Sequence, residues 1–205
     1  MKIYGTIFLI FLSSCASTRM TSFVDPAFRG TSYSSVLVSS NIAELEGKGF
    51  MESTICARFL AYGIDCSRSI DIFPPTRQFT DEQWLENFNN SGAQALIAVE
   101  LTDAYSTQTY VPQTTTTSGN VTSYGNTAYY NQSTNTSGGY NINKPVEKYK
   151  ITIIDGTNGK VAMIATSTTG GNAFAKSSNL AKSLAAELLQ QLINERLITN
   201  LAANK

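Results

Sequence analysis

The chain predicts an α/β (α+β) fold, a two-layer sandwich with helices on one face of a mixed sheet of about five strands. Three observations carry this. Short β-branched or alternating runs recur at 33–40, 65–73, 95–101, 149–155 and 160–169. Helical patterns separate the first three of these runs, and a long apolar stripe closes the chain. The resulting order, β-α-β-α-β, a long connection, then β-β-α, suits helices packed on one mixed sheet.

"YSSVLVSS" (33–40) is a compact β-branched run and reads as the first strand. Asn41 with Glu44 three residues later matches a capping box for a helix reaching about Tyr62. Ile42, Leu45, Ile55, Cys56, Phe59 and Leu60 give that helix its apolar side, while Gly47 and Gly49 weaken its first half. "DCSRSIDIF" (65–73) alternates like a strand and stops at Pro74-Pro75. Thr80 and Gln83 form a second capping-box match, opening a short helix with Trp84, Leu85 and Phe88 on one face. "ALIAVEL" (95–101) begins apolar on both faces, as a central buried strand does. "YKITIID", the turn "GTNG" and "KVAMIATSTT" read as an antiparallel hairpin. The last helix, from about Asn179 to Leu197, repeats leucine at 180, 184, 188 and 192 with Ala181, Ala185, Leu189 and Ile193 beside them. That stripe is wide enough to cover a sheet face.

Lys2 followed by the apolar run Ile3–Leu12 is the pattern of an export signal. At about 1.5 Å per residue the run covers roughly half of a ~30 Å hydrocarbon core. It ends in Leu12-Ser13-Ser14-Cys15, which resembles the lipobox of bacterial lipoproteins. The resemblance implies cleavage after Ser14, diacylglycerol on the Cys15 thiol and acylation of the new amine. The alternatives are a plain secretory signal with an incidental cysteine and a non-cleaved anchor. Ala16 is not the aspartate associated with inner-membrane retention, so the resemblance implies the outer membrane, with its periplasmic face as the default side. Residues 1–14 are then the leader, 15–31 a flexible lipid-anchored tether punctuated by Pro26 and Gly30, 32–198 one domain, and 199–205 a tail.

Together with the lipobox, the element order resembles a group of small, largely uncharacterised bacterial envelope lipoproteins. Their domain is similar to the N-terminal domain of TolB and the periplasmic domain of the curli secretion lipoprotein. The resemblance covers roughly 33–101 and 146–198, and "DGTNGKV" and "LAAELLQQLINERLI" are its clearest pieces.

Residues 106–145 stand apart. They are Thr, Ser, Asn, Gly and Tyr with almost no aliphatics and no charge before Lys144. Such a segment buries too little to offset its ordering entropy. Yet Tyr105, Tyr110, Tyr124, Tyr129, Tyr130 and Tyr140 offer large amphipathic surfaces and threonine favours extended structure. Two readings follow: a tolerated polar insertion, or a partner-binding arm that orders on contact as an extension of the third and fourth strands. Asn120-Val121-Thr122 and Asn131-Gln132-Ser133 match the N-glycosylation pattern, which a bacterial lipoprotein does not use.

Much chemistry is excluded. The chain has no histidine, which removes Ser-His-Asp and Cys-His pairs and the common zinc sites. Cys56 and Cys66 read as a disulfide in an oxidising compartment or as two separately buried thiols, and two thiols are too few for a cysteine zinc site. Loss of Lys2 leaves 14 basic against 15 acidic side chains, giving no field to collect nucleic acid. "GGNAFAKS" (170–177) imitates a P-loop, but Ala175 occupies the position where glycine lets backbone approach phosphate. It reads instead as a loop with Ser177 or Ser178 capping the last helix. Asp81-Glu82 suits a helix N-terminus and Asp155–Gly159 a hairpin turn, which leaves Glu100 and Asp103 as the carboxylates without a structural explanation. No metal, nucleotide or cofactor is expected. The leading expectation is a non-enzymatic envelope lipoprotein whose partners are the membrane, through Cys15, and an envelope protein. A small-molecule or glycan-binding domain is the alternative, and an acid-only hydrolase the third reading.

Overall fold

The computed structural model describes residues 16–198; Cys15 with the leader, and the tail 199–205, lie outside the described residues. In chain order the elements are β1 (Ala16–Val24), a 3-10 turn at Pro26–Phe28, β2 (Ser35–Asn41), α1 (Leu45–Leu60), β3 (Asp65–Arg68), α2 (Ser69–Ile72) and α3 (Asp81–Asn90). Then come β4 (Ala95–Val111), β5 (Thr114–Tyr124), β6 (Thr127–Ser137), β7 (Tyr140–Asp155), β8 (Val161–Gly171) and α4 (Ser177–Asn194). Six strands form one mixed sheet in the order β1-β8-β7-β4-β2-β3, and β5 and β6 pair separately. β2 runs parallel to both β3 and β4, while β4, β7, β8 and β1 alternate in direction.

α1 and α4 pack on the same face of the sheet and on each other. From α4 come Leu180, Ala181, Leu184, Ala185, Leu188, Leu189 and Leu192, all buried, as the four-residue leucine spacing requires. They meet Val36, Val38, Ile97, Val99, Ile151, Ile153, Met163 and Ala165, the alternate residues of four strands. Burying one such aliphatic side chain contributes about 1.5–3 kcal/mol. Leu37 points to the opposite side of β2 and is fully buried too. On that side β1, β8 and β7 stay open, with Phe23, Ile164, Lys150 and Thr166 exposed. The α3 region carries an aromatic stack, Phe79 edge-on to Phe73, Phe73 over Trp84, and Trp84 over buried Phe88. Gly156 is a glycine for Phe88's sake. A Cβ there would lie 2.7 Å from the ring and 2.8 Å from the Gln94 carbonyl.

Several sequence expectations change. The expected tether at 15–31 is not one: residues 16–24 form edge strand β1, paired along its whole length with β8. Thr18 Oγ1 donates to Ser183 of α4, and Ser22 Oγ donates to Glu195, so polar side chains hold the strand where apolar ones are missing. The expected capping box at Asn41 is absent because Asn41 is the last rung of β2, opposite Glu100, and α1 starts at Leu45. Leu45 and Leu60 are exposed, and Met51 and Glu52 take their place on the buried face. The strand expected over 65–73 stops at Arg68, where Ser69 turns into α2. The Thr80–Gln83 capping box forms, whereas Leu85 stays out of the buried face. At α4 the cap is Lys176, whose N–H donates to Asn179 Oδ1, so Ser177 and Ser178 do not serve.

Candidate interaction site: the β-arm

The segment 106–145 is β structure almost throughout, and neither a loop nor a disordered insertion. β4 and β7 continue as a two-stranded ribbon beyond the sheet, in unbroken register from Ser106 opposite Pro145 to Val111 opposite Tyr140. β5 and β6 prolong it with eleven further pairs, from Thr114 opposite Ser137 to Tyr124 opposite Thr127. Eleven residues at about 3.4 Å each make the outer ribbon about 37 Å long. Between the halves lies a corner, Pro112-Gln113 on one strand and Gly138-Gly139 on the other. Both glycines have positive φ, and a Cβ on Gly138 would collide with the Pro112 carbonyl. Proline and paired glycines at one level break the ladder, which is why the arm is two ribbons and not one. At the tip Tyr124-Gly125-Asn126-Thr127 closes a two-residue turn, with Gly125 at φ 59° as such turns require.

Threonine and tyrosine make this possible without a core. Thr115 faces Thr136 and Thr117 faces Thr134, with hydroxyls 3.3 and 3.4 Å apart. Tyr130 lies across Gly119, whose missing side chain leaves room for the ring. Every residue of β5 and β6 is exposed. The six tyrosines all lie on the arm or its base, exposed between 42% and 72%. They do not form one platform. Register and alternation put Tyr105 and Tyr140 on one face of the inner ribbon and Tyr110 on the other; Tyr124 and Tyr129 share a face of the outer ribbon, opposite Tyr130. The arm is neutral from Tyr105 to Asn143. Its outer edges pair with nothing among the described residues, so unused backbone donors and acceptors line both sides.

Charge gathers at the base. Lys148 Nζ lies 3.2 Å from Asp103 and 5.1 Å from the centre of the Tyr105 ring. The hydrogen bond to Asp103 holds the Lys148 pKa above its ordinary value, with the Tyr105 and Asp103 charges adding to it. A register shift between Leu101 and Asp103 places that acid opposite the lysine. Glu100 faces Lys150 one row away. Asp103 is thus tied to a lysine across the ladder, and Glu100 stands opposite another.

The other candidate chemistry is likewise absorbed. Asp155 Oδ1 accepts the N–H groups of Thr157 and Asn158 and its Oδ2 accepts the Tyr33 hydroxyl, a turn and not a cation loop. Burial, then the Asp155 bond and charge, push the Tyr33 pKa far up. In "GGNAFAKS" the N–H groups of Phe174 and Ala175 bond to Asn172, so they are not free to cradle a phosphate. Among the described residues no group of three Cys, Asp or Glu is placed to hold a metal. Cys56 and Cys66 are joined, Cα to Cα 5.2 Å, linking α1 to β3. One residue escaped the sequence reading. Glu52 is completely buried; Oε1 accepts Ser40 N–H and Ser69 Oγ–H, and Oε2 accepts Ile70 N–H. An acid inside the apolar stretch "FMESTIC" was its only signal. No helix among the described residues is long and apolar enough to cross a membrane.

No protein-family model and no curated protein matches the chain. Among solved structures, the PelC dodecamer from Paraburkholderia phytofirmans is 19% identical, covering 90% of this chain and 99% of that one, with a TM-score of 0.48. Lipoprotein GNA1162 from Neisseria meningitidis is 15% identical, covering 78% of this chain and 99% of that one, with a TM-score of 0.40.

Proposed function

We propose that this protein is a non-enzymatic envelope lipoprotein, anchored at the outer membrane through lipid on Cys15 and facing the periplasm, that binds a protein partner through its β-arm. The observation that carries the reading is the arm itself: a neutral two-stranded ribbon with both edges open and every outer residue in solvent. Such an edge is what strand addition uses, main-chain bonds supplying affinity and side-chain pockets supplying choice. Tyrosines distributed over both faces suit a partner that grips the ribbon from two sides better than a single stacking platform for a sugar chain. The element order also supports a domain similar to the TolB N-terminal and curli secretion lipoprotein domains.

Replacing residues 112–139 with an Asn-Gly turn joins Val111 to Tyr140, an existing cross-strand pair. The shortened protein should keep its melting temperature and lose its partners in a crosslinked pull-down from its own envelope. Recovery of the same partners by the shortened form would make the arm an idle insertion.

A second reading rests on the open sheet face. A groove of about 640 Å³ there is lined by Arg19, Lys148, Lys150, Thr21, Thr166 and Thr168. Rows of hydroxyls favour a hydroxylated ligand such as a glycan, and Arg19, which faces Thr168 and not an acid across the ladder, favours an acidic one. Retardation of the protein in a gel containing polygalacturonate but not dextran, lost in Lys150→Glu, would support that reading; equal mobility in both gels would dismiss it.

A further inference from the structure

The pairing of β1 leaves no slack between an anchor and the sheet. Ala16 stands opposite Gly171 as the first rung of the β1–β8 ladder. Whatever the course of the preceding residues, the peptide bond puts the Cα of Cys15 about 3.8 Å from that of Ala16. Beyond Gly171 the chain turns at once through residues 172–176. Asn172 Oδ1 accepts the Phe174 N–H and the Asn172 carbonyl accepts the Ala175 N–H. The loop folds back so closely that a Cβ on Gly171 would collide with Ala175. This turn holds Phe174 outward at 84% exposure, the highest of any large apolar side chain among the described residues. One cross-strand step of about 5 Å and three residues of at most about 3.6 Å place Phe174 within about 20 Å of Cys15.

Position therefore names what covers the ring. Lipid on Cys15 brings the bilayer to this end of the sheet, and Phe174 stands within about 20 Å of the point of attachment. Its neighbours are Ala173 and Ala175, with Lys176 next, an apolar tip flanked by a cation as interfacial segments are. We propose that the loop of residues 172–176 is a second membrane contact, with Phe174 inserted among the lipid head groups next to the anchor. The proposal rests on the reading of Cys15 as lipidated. A lipid alone tethers the domain at a point about which it can turn, whereas lipid plus loop restricts its tilt. The base of the β-arm shares this end of the sheet: Pro145 packs 3.1 Å from where a Gly171 Cβ would be. The loop contact thus fixes the orientation of the sheet end from which the arm departs.

The test uses the full lipidated chain in vesicles of phosphatidylethanolamine and phosphatidylglycerol with brominated acyl chains. Trp84, the only tryptophan, is replaced by phenylalanine, and a reporter is introduced as Phe174→Trp or, at the opposite end of the sheet, Lys160→Trp. Mass spectrometry first establishes acylation of Cys15. The reporter at 174 should be blue-shifted and quenched at least twofold by the brominated lipids, while that at 160 stays water-like and unquenched. Acylated protein with equal quenching, or none, at both positions overturns the loop contact and leaves the lipid anchor standing. An unacylated Cys15 overturns both.

Discussion

Glu52 separates a structural acid from a catalytic one, and its replacement has a calculable outcome. The carboxylate closes the space between the end of β2, α1 and the start of α2 by accepting three hydrogen bonds of 2.9, 2.7 and 3.0 Å. Lys48 Nζ, at 3.8 Å, adds a longer charge contact. Glu52→Ala strands two backbone N–H groups and one hydroxyl. Each unsatisfied buried donor costs about 1–3 kcal/mol, and part is recovered because no charge remains to be desolvated. A net loss of about 3–5 kcal/mol follows, the range for removing one partner of a buried charged cluster. For a domain of this size, that lowers the melting temperature by roughly 6–20 °C. Glu52→Gln keeps an acceptor for Ser40 and Ser69 but turns an amide N–H₂ toward the Ile70 N–H, so it should fall between Ala and wild type. Circular-dichroism melts of the three purified proteins decide the matter. A Glu52→Ala protein melting within about 2 °C of wild type would refute the claim that this acid is used up in holding the fold.

Other perturbations should read out the remaining supports. Reducing the Cys56–Cys66 bond, or replacing both residues by alanine, should cost about 2–3 kcal/mol in a urea titration, the value for so short a loop. Alkali should destabilise the protein above about pH 10, the ordinary tyrosine value. Burial, then Asp155, raises the pKa of Tyr33; burial, then Glu147, raises that of Tyr149. The unfolded chain therefore loses these protons first, and stability falls as pH rises, by up to about 1.4 kcal/mol per pH unit for each ring. A urea midpoint flat from pH 9 to 11.5 would contradict this. Arg196 ends α4 at φ 60°, with its N–H bonded to Ile193 and that of Leu197 to Leu192, the Schellman pattern that favours glycine. Arg196→Gly should raise stability by roughly 0.5–1 kcal/mol in the same titration.

Local pattern determined much of this molecule. The leucine spacing of α4, the Thr80–Gln83 cap, the apolar start of β4, buried on one face and half-buried on the other, and the hairpin around Asp155 depend on residues close together in sequence, whose periodicity and turn chemistry act alone. The absence of histidine is equally a property of sequence. What tertiary structure decided lies wherever a segment's partner is remote. Residues 16–24 are too polar to announce a strand; they become one because β8 offers a free edge and α4 offers Glu195, Gln191 and Ser183 to their hydroxyls. Glu52 reads as an ordinary helix acid until β2 and α2 enclose it. Residues 106–145 have no apolar side to pack, so composition points to disorder. Their order comes from strands β4 and β7, which leave the sheet already paired and in register and carry the ladder outward to the corner at Pro112 and Gly138. Backbone pairing is indifferent to hydropathy, and so a fold can hold in order what its side chains alone would not.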